Sequence, residues 1–192
     1  MTRRTRSAFP IFFAAFAALF LVPLAAQAQA AAPGVLDAAQ AGKLLPASVY
    51  FDGQTATTQL RNSAGVRFAD GRLVLAVLVD SSGYSGAVQQ KYQGYLLTEV
   101  PLDFGGHRLP AGAYGMGVVQ APRQHLPPAD SVSSTNGQLY IMDIGNHDLF
   151  HFTAMQDTGM HRPVPLQILA GATPGTYRLC LGRDCVSFRQ AP

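Results

Sequence analysis

Arg72-Leu-Val-Leu-Ala-Val-Leu-Val79 is the most apolar run of the chain beyond its first thirty positions. Its length suits a strand better than a helix, and it is rich in valine and leucine. Polar and apolar residues do not alternate along it, so neither side is written for water. The run therefore predicts a strand buried on both faces.

The text on either side is turns and short strands. Upstream, Asp70-Gly71 reads as a turn, Val66-Arg-Phe68 as a short strand and Asn62-Ser-Ala-Gly65 as another turn. Before these come a Thr-rich strand, Gln54 to Leu60, the turn pair Asp52-Gly53, and the strand Val49-Tyr-Phe51. Downstream, Ser81 to Gly86 is a loop and Ala87 to Gln93 a single helical turn. Tyr95 to Leu102 is a strand in which Pro101 marks its end or an edge position, and Phe104 to Gly112 is a turn-rich link. Ala113 to Gln120 is a strand with Gly115 and Gly117 on one face, where they read as close-packing positions. Pro122 to Asn136 is the longest loop. Gln138 to Ile144, Leu149 to Met155 and Val164 to Leu169 are strands, and Asp157 to Pro163 is a loop. Thr176 to Leu181 and Cys185 to Phe188 form a final hairpin.

About ten short strands without a long helix predict an all-β fold. The expected architecture is a single-domain antiparallel β-sandwich over residues 48–192, with a barrel-like closure as the alternative. Residues 31–47 form a lead-in in which Val35 to Leu45 is a short helix or a strand. An internal echo fits this reading. Leu109-Pro-Ala-Gly-Ala-Tyr-Gly-Met116 and Thr173-Pro-Gly-Thr-Tyr-Arg-Leu179 each set a Pro/Gly turn before a strand that opens with tyrosine.

The first thirty residues read as an address. Arg3, Arg4 and Arg6 precede an apolar run from Phe9 to Leu24, and Ala26-Gln-Ala-Gln-Ala30 offers small-residue cleavage sites. That is the pattern of a cleaved secretory signal peptide. The apolar run is shorter than a comfortable span of about 20 residues, so no transmembrane anchor is expected after cleavage. The expected location is secreted or periplasmic. Of the 14 basic residues three lie in this leader, and none of the 11 acidic ones does, so the remainder is neutral. A neutral chain offers no basic stripe for nucleic acid. Charged residues are 13% of the chain, against a norm of about 25%. Such a surface favours self-association, so a homo-oligomer is among the expected assemblies.

Two cysteines, Cys180 and Cys185, flank Leu-Gly-Arg-Asp. A two-residue turn at Gly182-Arg183 sets them directly opposite each other, which suits a disulfide in an oxidising compartment. C-x4-C is not the C-x-x-C of a redox pair, and no helix start follows to activate a thiol.

Histidines are the main chemical candidates: His107, His125, His147, His151 and His161. His147 and His151 are four apart, on one face of a strand or helix. With His161 and Asp148 they would make a shell suited to zinc or copper. The plainer reading places Asn146-His147-Asp148 in a turn and His151 on a half-buried strand. No G-x-S-x-G elbow is present, and Glu99 is the only glutamate. Catalytic residues are therefore not assigned. Gly105-Gly106 and Gly115-Met-Gly117 precede no helix and read as turn and packing positions, not a phosphate loop. The aromatics Tyr84, Tyr92, Tyr95, Phe104, Tyr114, Tyr140, Phe150 and Phe152 read as core before binding platform. The expected function is a non-catalytic binding module for an unknown protein or small molecule. Its recognition surface is expected at 121–136 together with Ser81 to Gln93, and no cofactor is required. The alternative is a metal-dependent protein using the histidine cluster. A third possibility is envelope assembly through an exposed edge strand.

Overall fold

The computed structural model describes residues 32–120 and 137–192. The expected leader and the expected recognition segment 121–136, with His125, lie outside the described residues. In chain order the elements are β1 (Gly34–Leu36), α1 (Ala38–Gly42), β2 (Ser48–Phe51), β3 (Gln54–Arg67), β4 (Leu73–Val79), α2 (Gly86–Lys91) and β5 (Gly94–Thr98). There follow β6 (Leu102–Phe104), β7 (His107–Leu109), β8 (Gly112–Val119), β9 (Gln138–Met142) and β10 (Asp148–Thr153). The last are β11 (Met155–Gln156), β12 (Leu166–Ala170), β13 (Thr176–Leu181) and β14 (Asp184–Gln190).

Two antiparallel sheets form, and neither closes into a barrel, so the architecture is the sandwich. The larger has the order β1-β3-β4-β5-β8-β9-β10, with β2 also on β3. The smaller is β12-β13-β14-β6-β7, with β11 also on β14.

Strand β4 is buried on both faces. Val74 and Ala76 join the inner core between the sheets, with Leu96, Met116, Ile141 and Phe188. Leu75, Val77 and Val79 face the other way, into a second core with Phe51, Tyr84, Val88, Tyr92 and Tyr95. That second core is roofed by α1, β2 and α2. Each of its fully buried large side chains contributes roughly 1.5–3 kcal/mol of transfer free energy. The roof is thus what gives an all-apolar strand its second dry face.

The lead-in is both strand and helix. Asp37 caps α1 in a reciprocal box with Gln40, each side chain bonding the other's main-chain N–H. The expected turn at Asn62–Gly65 is not there. Strand β3 runs through it, with a register shift between Gln59 and Ser63. The Ser63 hydroxyl donates to the Leu60 carbonyl inside the bulge, at 2.6 Å. Gly65 faces Leu75, whose Cδ2 would sit 2.8 Å from an added Cβ. Small polar residues here make a bulge and a close approach, not a reversal.

The expected strand Tyr95 to Leu102 also divides. Strand β5 stops at Thr98, whose hydroxyl bonds the Val100 carbonyl at 2.5 Å. The chain then leaves the large sheet, and β6 pairs with β14 of the small one. Pro101 therefore marks a change of sheet. The turn-rich link is itself a hairpin, β6–β7, with Gly105 at φ +61° and Gly106 at φ +97°. Both copies of the echo do open a strand, β8 and β13. Tyr114 is buried in the inner core, and Tyr177 packs against it.

The last hairpin has the expected register, Leu181 opposite Asp184 and Cys180 opposite Cys185. The two cysteines form a disulfide with Cα atoms 4.1 Å apart. That close spacing belongs to a non-hydrogen-bonded pair.

Candidate functional site

Strand β14 carries β13 along one edge. Its other edge is covered in two pieces: β11 at Asp184 and Cys185, β6 at Arg189 and Gln190. Among the described residues, no strand pairs with 186–188 there. The pair Leu181–Asp184 closes a two-residue hairpin and is hydrogen-bonded, so alternation makes Arg178–Ser187 a non-hydrogen-bonded pair. The N–H and C=O of Ser187 therefore turn away from β13, toward the gap.

A cleft of about 710 Å³ opens there, with Ser187 in its floor and the disulfide's Cys185 beside it. Half-buried Phe152 lies in its wall, backed by Phe104 of the inner core, with ring centroids 5.3 Å apart. The His107 ring meets Phe152 edge-on at 5.5 Å. Met155 stands on the rim, 76% exposed although apolar. At the far side Arg178 Nη1 donates to Asp157 at 2.7 Å, and Arg183 Nη1 donates to the Asp157 carbonyl at 3.1 Å. An aromatic ring and an apolar rim set among placed polar groups can orient a ligand.

The Arg178 bond holds the Asp157 carboxyl below its ordinary value, with the Gly159 N–H assisting. A depressed folded pKa contributes stability above the ordinary carboxylate value of 3.8, and loses it as pH falls through the depressed value. Arg178→Met is accordingly expected to lower the urea midpoint at neutral pH. The gap to wild type should shrink at acid pH, as the pH falls through the depressed value and the carboxylate takes up its proton. An equal gap at both pH values would contradict this reading of the pair.

The chain matches no family model, no curated protein and no solved structure. Its site is therefore read from geometry alone.

The four proposed metal ligands are placed as follows. His147 lies in the turn after β9, where Asn146 takes φ +67°. Its Nδ1 is 2.9 Å from Asp143 Oδ2. Hydrogen bonds from His147 hold the Asp143 carboxyl below the usual range. Asp148 pairs with Lys91 at 2.5 Å. His151 sits on the outer face of β10, stacked on Tyr140 at 5.6 Å, and lines the cleft at its rim. His161 is exposed in the loop between β11 and β12. Among the described residues no three His, Cys, Asp or Glu side chains are grouped closely enough to hold a metal ion.

Within Ser81 to Gln93, Tyr84 and Tyr92 are buried in the second core, so their rings offer no platform. The Tyr84 hydroxyl donates to the Phe51 carbonyl at 3.1 Å, and burial raises its pKa. The cleft residues His107, Phe152, Met155, Asp157 and Arg178 are scattered through the sequence. Their only local signals are the histidine itself and the lone methionine after an aromatic strand. What brings them together is the shared edge of β14, which no local pattern announces.

Proposed function

We propose that this chain is an exported, non-catalytic binding module whose ligand, a protein segment or a small molecule, seats in the cleft at Ser187. The carrying observation is the cleft itself: half-buried Phe152 in its wall, an apolar rim at Met155, and main-chain groups of Ser187 turned toward it. The non-catalytic reading rests on how the histidines are engaged: His107 and His151 pack on aromatic rings, and His147 caps Asp143. Export is supported by the leader's pattern and by the disulfide. No helix of the described residues is long and apolar enough to cross a membrane.

A thermal-shift screen with aromatic amide fragments, N-acetylphenylalanine amide first, tests the reading. Hits are expected to bind Met155→Asp at least about tenfold more weakly. Met155 is exposed on β11, so this variant folds while placing a charge at the cleft mouth. Equal affinity in the two proteins would move the site elsewhere.

A further inference from the structure

A second cavity, of about 460 Å³, lies at one end of the sandwich. Gln59, Leu78, Gln93, Val118, Gln120 and Asp184 are in its wall. Along β14, side chains 184, 186 and 188 share a face, and Val186 and Phe188 lie in the inner core. The same alternation puts a carboxylate, Asp184, on that apolar face with 8% exposure.

Asp184 Oδ2 accepts a hydrogen bond from Gln120 Nε2 at 2.8 Å. Its Oδ1 is buried, and no donor among the described residues bonds it. None of the ion pairs among the described residues includes Asp184. The other amides in the cavity wall, Gln93 and Gln59, bond elsewhere. Gln93 closes on Val118 through both its amide atoms, at 3.0 and 3.2 Å. Gln59 donates to the Val79 carbonyl and accepts from Asn62. A buried carboxylate with an empty acceptor is costly, and a leucine would suit this position better for packing alone. Residues that break the local pattern in this way gather at functional sites.

The geometry points to a second binding site, at Asp184, for an organic cation: an ammonium or guanidinium group on a short apolar stem. The charged group meets Asp184, and Leu78 and Val118 border the stem. A free amine and a lysine or arginine side chain of a partner supply the same chemistry. This site is separate from the cleft at Ser187 and stands or falls independently of it.

The test is a titration of the purified chain with n-butylammonium chloride and with Nα-acetyl-lysine methylamide. It is followed by NMR at the main-chain amides of Gly137 and Gly182 and the side-chain amide of Gln120. Saturable shifts are expected, weakened at least about tenfold by Asp184→Asn, with none from n-butanol or from potassium chloride at equal ionic strength. Tighter binding of the lysine derivative assigns the site to a polypeptide side chain, and tighter binding of butylammonium to a free amine. Equal affinity in wild type and Asp184→Asn, or the same response to potassium chloride, would overturn the proposal. A second variant separates ligand binding from a purely structural role. Asp184→Leu is expected to melt above wild type; a lower melting temperature would show that the carboxylate serves the fold and would also overturn it.

Discussion

Replacing Phe51 by alanine will lower the free energy of unfolding by about 3–5 kcal/mol. The ring is fully buried at the centre of the second core. It stacks on Tyr92 with centroids 3.9 Å apart and planes at 13°, and Tyr84 tilts against it at 6.2 Å. It also fills the space that Gly115 leaves open on β8. Removing it leaves a void bounded by a rigid sheet on one side and two tyrosines on the other. Such a site collapses poorly, so the cost belongs at the upper end for a truncated aromatic. Stabilities of domains this size are only about 5–15 kcal/mol, so the loss is a large share of the whole. Urea unfolding followed by circular dichroism checks it. A loss below about 1 kcal/mol would mean that the roof of α1, β2 and α2 does not pack on the large sheet as described.

Gly117→Ala attacks the same contact from the sheet side. On β8, residues 114, 116 and 118 face the inner core, and 115 and 117 face the roof. An added Cβ at Gly117 would run into the main-chain carbonyl of Lys91, at the end of α2. A backbone oxygen cannot swing aside as a side chain does. The helix end would have to lift, drawing Tyr92 and Val88 out of the second core. The expected cost is about 3 kcal/mol, the upper end for an overpacked site. Gly86→Ala is the matched control. It lies in the first turn of α2 with open space at its Cβ, and alanine there is expected to be neutral or slightly stabilising. If both substitutions behave alike, the close approach of α2 to β8 is wrong.

These two positions show what the sequence made legible. Leu73 to Val79 is apolar without alternation, so two dry faces were readable from seven residues. The glycines at 115 and 117 were readable as a packing face because they recur at the strand period. The Cys180–Cys185 pairing followed from a two-residue turn. The failures share a cause. Asn62 to Gly65 has turn composition, yet Ser63 to Gly65 are held in the sheet by pairing with β4, ten to fourteen positions later, which turn composition does not register. The strand break after Thr98 depends on β14, more than eighty positions later. The cleft was illegible for the same reason, since its floor exists only because β11 and β6 cover separate parts of one edge. Asp184 was visible as an acidic residue after a turn. Only its inward register shows it to be a buried charge.

The central claim, that the cleft at Ser187 is the recognition surface, is tested most directly by two-dimensional amide NMR with the best fragment from the screen. The expected result is that the perturbed amides are Gly105, Thr153, Thr158 and Ser187, which belong to three separate stretches of chain that meet at the cleft. Perturbations confined to other strands, with those four amides unmoved at saturation, would contradict it.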